Sequence, residues 1–228
     1  MKKEFVISNW KSDLEWIKIS NFSKENITIY DRSENPKDWS HLGKFYYSPN
    51  VGENIYDMFR FVIENYDNLP DVTIFMKGNM IHSEINGEYY YATLEQIKKA
   101  FKVNTFYPIE KNHGPCKITK KYPYPTVNDG MYMEKNDNGF TRNKMDRKYY
   151  NTYNEFLEDN FVDPFFPDYI RFAPGGNYVV PKQNIISYSK KFYEKLQSYV
   201  SYTIVPLEAH ILERALYTLW TCNYEEKL

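Results

Sequence analysis

Two cysteines, nine glycines and five alanines in 228 residues already exclude several protein classes. Cys116 and Cys222 are too few for a disulfide framework, and only a few apolar residues follow the charged start of MKKEFVIS before Asn9, too short for a secretory leader. The expected setting is a reducing cytoplasm. No run approaches the roughly 18 uninterrupted apolar residues of a membrane span, which leaves only peripheral membrane association open. Neither sign of charge prevails, with 29 Lys and Arg against 30 Asp and Glu. The chain therefore has no global field to draw it onto nucleic acid, and nucleic acid is not an expected partner. Lys117, Lys120 and Lys121 form the one short basic cluster and read as a solvated loop.

Familiar chemical signatures are missing as well. There is no P-loop, no G-x-G-x-x-G and no G-x-S-x-G. His41, His82, His113 and His210 have no H-x-x-x-H spacing and neither cysteine has a C-x-x-C neighbour, so a zinc site is not expected. Aromatics are abundant, with 23 Tyr and 15 Phe. Beside scarce alanine and plentiful Asn and Lys, this reads first as the bias of an AT-rich coding sequence, with tyrosine spread over core and surface.

The pattern along the chain points to an α/β domain. Phe5–Ser8, Ile27–Tyr30 and Val72–Met76 are short β-type runs, and Asp13-Leu14-Glu15-Trp16-Ile17 has helical spacing. Ile55, Met58, Phe59, Val62 and Ile63 repeat at i, i+3, i+4, i+7 and i+8, one apolar helical face directly after Asn50-Val51-Gly52. Strands alternating with helices predict a mainly parallel sheet. From 105 to 171 six prolines, among them Pro108, Pro123 and Pro164, break the pattern into an irregular insert. Order returns at Tyr178-Val179-Val180, followed by a helix opened by Pro181 with Ile185, Tyr188, Phe192 and Leu196 on its apolar face. Pro206 opens a last helix, Leu207–Trp220. The expectation is one domain with C-terminal helices, divided into an α/β half (1–104), an insert (105–171) and a C-terminal strand with helices (172–228).

In such a sheet ligands bind beyond the carboxyl ends of the strands, which selects Ser8-Asn9, Asp31-Arg32 and Lys77-Gly78-Asn79. An Asp there can accept from a ribose or base and an Arg can meet phosphate; the alternative is a surface turn. Asn50-Val51-Gly52 before a helix has the form of an anion site or of a plain turn. Pro174-Gly175-Gly176-Asn177 allows a positive-φ turn or a close ligand approach. On the last helix Glu208 falls within the arc of Leu207, Ile211, Leu212, Ala215, Leu216 and Leu219. It is there either as a helix-start carboxylate or as a buried base.

Read together, Asp13–Ile17, Asn50-Val51-Gly52-Glu53, Tyr66–Phe75, Phe172–Val180 and Glu213-Arg214 resemble an uncharacterised family known only as a domain of unknown function. That family in turn is similar to GT-A-fold glycosyltransferases of capsular and surface-polysaccharide synthesis. The resemblance spans most of the chain outside about 105–165. It implies a single GT-A-like, Rossmann-like domain that moves a sugar from a nucleotide-sugar donor to a glycan acceptor. Asn9, Asp31 and Arg32 would lie near the nucleoside, and Asn50, Gly52 and Asn54 near its phosphates. Gly175, Gly176, Asn177, Glu213 and Arg214 would form the acceptor side, with Glu208 as the base of an inverting displacement.

Where such enzymes carry an Asp-x-Asp metal motif, this chain reads Met76-Lys77-Gly78-Asn79-Met80-Ile81-His82. Lys77 and Asn79 would then meet the diphosphate and His82 the substrate, with a divalent metal (Mn²⁺ or Mg²⁺) left open. The rival expectations are a non-catalytic glycan-binding module on the same fold, and a nucleotidyl- or phosphotransferase.

Overall fold

The computed structural model describes residues 1–81, 92–109, 131–137 and 145–227. A six-stranded sheet, in the order β3-β2-β1-β4-β8-β5, forms its centre. The strands are β1 (Lys3–Asn9), β2 (Ile27–Asp31), β3 (Lys44–Tyr47), β4 (Val72–Lys77), β5 (Tyr107–Pro108) and β8 (Tyr178–Pro181). β1 to β4 are mutually parallel, with Phe5 opposite Ile27 on one side and Ile74 on the other. β8 runs antiparallel to both neighbours. This is the mixed α/β, mainly parallel, Rossmann-like domain expected from the alternation of strand and helix patterns.

Both faces of the sheet are covered, and the two-residue period of its strands sorts side chains between two cores. Phe5, Ile7, Ile29, Ile74 and Met76 join α1 (Trp16–Ser20) and α3 (Leu94–Lys102) on one face. Val6, Tyr30, Phe75, Tyr178 and Val180 join α2 (Glu53–Asn65), α6 (Lys190–Ser198) and α7 (Leu207–Thr221) on the other. The element α3, which starts at a Thr93–Gln96 capping box, and the edge strand β3 were not anticipated from the sequence.

Three expectations need correction. The predicted helix after Pro181 is two helices, α5 (Lys182–Ile185) and α6, because Ser189 caps the second by accepting from the Phe192 N–H at 3.1 Å. Ile185, Tyr188, Phe192 and Leu196 nonetheless share one core. The insert is not wholly irregular: β6 (Tyr132–Lys135) pairs antiparallel with β7 (Tyr169–Phe172), and α4 (Tyr153–Asn160) lies between them in sequence. Finally, α2 has two buried faces. Met58 and Phe59 face the C-terminal elements, while Asn54, Asp57 and Phe61, off the predicted arc, are buried too, with Phe61 edge-on to Phe75 of the sheet.

Candidate functional site

The strand order turns back between β1 and β4, since the chain builds outward from β1 through β2 to β3 and then returns to β1's other edge. Crevices at such switch points receive ligands because the loops leaving adjacent strands diverge there. Here the β1 chain end, residues 9–12, divides two cavities. One, of about 360 Å³, is lined by Asn9, Asp13, Asp31, Ser33, Lys37 and Trp39 among others. The other, of about 150 Å³, is lined by Ser8, Trp10, Ser12, Arg32, Glu53, Lys77, Gly78 and Asn79.

In the larger cavity Asp31 is committed to holding its walls. Its Oδ2 accepts from Asn9 Nδ2 at 2.8 Å and Trp39 Nε1 at 3.1 Å, and its Oδ1 from the Ser33 N–H at 2.8 Å. Among the described residues, the buried Asn9 Oδ1 has no hydrogen-bond partner.

The smaller cavity rests on a buried ion pair. Asp57 of α2 is fully buried, and its carboxylate accepts from the hydroxyls of Ser8 and Ser48 while Arg32 Nε stands 3.5 Å away. Burial pushes the Asp57 carboxyl up to about 6, against the opposing pull of Arg32, Ser48 and Ser8. Burial also lowers the Arg32 guanidinium, less the support of Asp57. The Arg32 side chain is 10% exposed and has no side-chain partner other than Asp57 among the described residues, so its Nη donors are left to the cavity.

Lys77 reaches the same cavity from the end of β4. Its N–H donates to Asn177 Oδ1 at 2.9 Å, and its side chain passes Gly175, where an added Cβ would lie 3.3 Å from Lys77 Cδ. Gly175, at φ +77°, donates its N–H to Glu213 of α7 and accepts from Asn54 Nδ2 at 2.9 Å. Burial would raise the Glu213 carboxyl, but the charges of Arg214, Lys77 and His210 with the Gly175 N–H hold it below its ordinary value. Arg214 in turn grips Glu134 of β6 and lies over the Phe172 ring of β7 at 4.5 Å, so α7 ties the second sheet to this edge of the first.

The sequence-derived residues thus divide into groups. Asn9, Asp31, Arg32, Lys77 and Asn79 line the two cavities; Gly175, Asn177 and Glu213 form the wall beside Lys77. Gly176, at φ +61°, packs against Leu216 and Met58, and Asn177 also caps Pro174 O at 2.9 Å.

The expected phosphate cradle at Asn50, Gly52 and Asn54 is corrected. The N–H groups of Gly52 and Glu53 donate to Thr203 O and Ile204 O, Asn54 is spent on Gly175, and a Cβ on Gly52 would lie 2.6 Å from Val200 O. Gly52 is a packing glycine. Asn50 lines neither cavity.

Glu208 is corrected too. It is 1% exposed, its Oε1 takes the N–H groups of Lys148, Tyr149 and Tyr150, and its Oε2 takes the Tyr202 hydroxyl at 2.6 Å. A carboxylate with four donors is a clamp for residues 148–150, its hydrogen-bonding positions already taken by the chain itself. His82, like Cys116 and His113, lies outside the described residues.

Asp57, Glu53 and Trp10 escaped the sequence reading. The available signal for Asp57 was Phe61, four residues later and outside the predicted apolar arc of α2. As for a divalent metal, the described lining residues of the smaller cavity include one carboxylate, Glu53, beside two cations, too few donors by themselves to hold Mn²⁺ or Mg²⁺. No group of three metal-binding side chains occurs among the described residues, and none of their helices is long and apolar enough to cross a membrane.

Comparison with known proteins gives a family but no activity. Residues 5–228 match a family model described as Protein of unknown function (DUF3431). No curated protein and no solved structure matches the chain.

Proposed function

The chain belongs to that family of proteins of unknown function, and we propose that it is a glycosyltransferase that moves a sugar from a nucleoside diphosphate to a glycan acceptor. The observation that supports this reading is the convergence of Arg32 and Lys77 on one cavity at the β1/β4 switch point. Two fixed cations in a partly closed site suit a diphosphate, both as a bound group and as a leaving group whose charge grows as the glycosidic bond breaks. The adjoining larger cavity, with Asn9, Asp31 and Trp39, has the size and polarity for the nucleoside.

Glu213 replaces Glu208 in this reading. It stands beside Lys77, the charges around it lower its pKa and keep it ionised, and in this reading it orients an acceptor hydroxyl. The resemblance to GT-A enzymes carries the assignment to surface-polysaccharide synthesis in the cytoplasm, with any membrane association peripheral.

The test is a thermal-shift titration with UDP, GDP and CDP and their sugar conjugates, with Mn²⁺ and with EDTA. A ligand at 100 times its Kd stabilises by about 2.7 kcal/mol, and the shift is expected in EDTA as well. Arg32→Ala and Lys77→Ala should each weaken binding about ten- to a hundredfold, the equivalent of one charge-assisted contact. No shift with any nucleotide would overturn the reading, and a shift seen only with Mn²⁺ would overturn the metal-free site.

A further inference from the structure

Trp10 is 51% exposed, unusual for the largest apolar side chain, and it lines the small cavity that holds Arg32 and Lys77. Its placement follows from the strand. β1 ends at Asn9 and its alternation carries one residue further, so that Ser8 and Trp10 line the small cavity and Asn9 the large one, while past the turn Lys11 lines the large cavity and Ser12 both.

The turn that holds Trp10 there is pinned and strained. Lys11 adopts φ +57°, a conformation L residues rarely take, and its N–H donates to Ser33 Oγ at 2.7 Å. Asn9 Nδ2 donates to Ser12 O and Ser12 Oγ to Trp10 O, both at 3.3 Å. Strain of this kind persists where the surroundings over-determine it, and it collects at ligand sites.

Resting on the glycosyltransferase reading above, we infer that Trp10 is the platform for the donor's sugar ring and a determinant of which sugar is accepted. The cavity's size argues for the sugar over the base. About 150 Å³ is below the roughly 300 Å³ at which pockets for drug-sized ligands begin, whereas the neighbouring cavity, at about 360 Å³, can take a nucleoside. Its chemistry argues the same way. Lys11 Nζ stands over the Trp10 ring at 5.1 Å, so the axial C–H groups of a pyranose would meet the indole's opposite face, while Glu53, Ser8 and Asn79 offer hydrogen bonds to its hydroxyls and Arg32 and Lys77 line the same cavity for the attached phosphates. The ligand class is a hydroxyl-rich pyranose carried on a diphosphate.

The experiment measures Kd by calorimetry for UDP, GDP and CDP and for UDP-glucose, UDP-N-acetylglucosamine and GDP-mannose. The proteins compared are the wild type, Trp10→Ala and Trp10→Phe, with melting points taken alongside. For the nucleotide that binds, Trp10→Ala should weaken its sugar conjugate about three- to tenfold, as expected for loss of an aromatic contact. It should change the bare nucleoside diphosphate less than about twofold, and Trp10→Phe should recover most of the loss.

Equal weakening of nucleotide and conjugate would assign Trp10 to the base and overturn the inference. So would an unchanged conjugate affinity. If the wild type binds none of the six probes, the glycosyltransferase reading itself has failed, a result visible before any variant is made.

Discussion

Asp57 should make this protein more stable as the pH falls from 7 towards 5, opposite to the usual behaviour of a paired carboxylate. Its carboxyl titrates near 6 in the fold because burial penalises the charged form more than Arg32, Ser48 and Ser8 repay it. In the unfolded chain it titrates near 3.9. Between those values the folded state holds the extra proton, so stability declines as pH rises through this window. The contribution is fully present below about pH 4 and lost as pH rises through about 6. Integrating the two titrations, the gain from pH 7 to pH 5 is about 1.3 kcal/mol. The perturbation is Asp57→Asn, which removes the titration and keeps the shape. Urea unfolding at pH 5, 6 and 7 for both proteins measures it, and the wild-type minus variant stability should grow by about that amount towards acid. A difference flat across the range, or one growing towards pH 7, would mean that Arg32 holds Asp57 ionised and that the buried pair is electrostatically balanced.

Two further predictions come from carboxylates that look alike in sequence and differ in surroundings. Asp31→Ala should lower the melting point even without ligand, since it frees Asn9, Trp39 and the Ser33 N–H together; an unchanged melting point would leave Asp31 as a purely ligand-facing group. Glu208→Ala should cost about 3 kcal/mol or more in urea unfolding by stranding four donors, while nucleotide affinity stays within about twofold; loss of nucleotide binding in a folded variant would return Glu208 to the site.

What could be read from the residues was whatever a local period dictates. The strands β1, β2, β4 and β8 are apolar runs, the switch-point rule then selected Asn9, Asp31, Arg32 and Lys77, and all four line the two cavities. Errors arose where tertiary contacts supply what local pattern cannot. Gly52 looked like a phosphate-binding turn, yet Thr203 and Ile204, some 150 residues later, take its N–H and that of Glu53. Glu208 stood out as a carboxylate in an apolar arc, but the same position serves a backbone clamp when residues 148–150 pack over it. Asp57 escaped because an amphipathic reading assigns a helix one buried face, and α2 lies between the sheet and the C-terminal helices. Proline density predicted an irregular 105–171, but strand partners such as Met133 and Arg171 are too distant in sequence for any turn signal to join them.

The place of β8 in the sheet also governs how this chain can reach its fold. Val72 pairs with Pro181, more than a hundred positions away, whereas β1, β2, β3 and β4 all arise within the first 77 residues. On a ribosome adding about 5–20 residues per second, the parallel half is complete several seconds before its outer neighbour exists. During that interval the free edge of β4, Val72 to Lys77, is an apolar strand with unpaired amides, the kind of edge that recruits other chains. Closing it requires a long loop to be paid for in entropy before any contact repays it, which makes docking of β8 the natural slow step of folding. The same strand that carries the Gly175–Asn177 wall up to Lys77 is therefore the one that seals the sheet, so the Lys77 edge of the small cavity and the finished fold are completed in a single event.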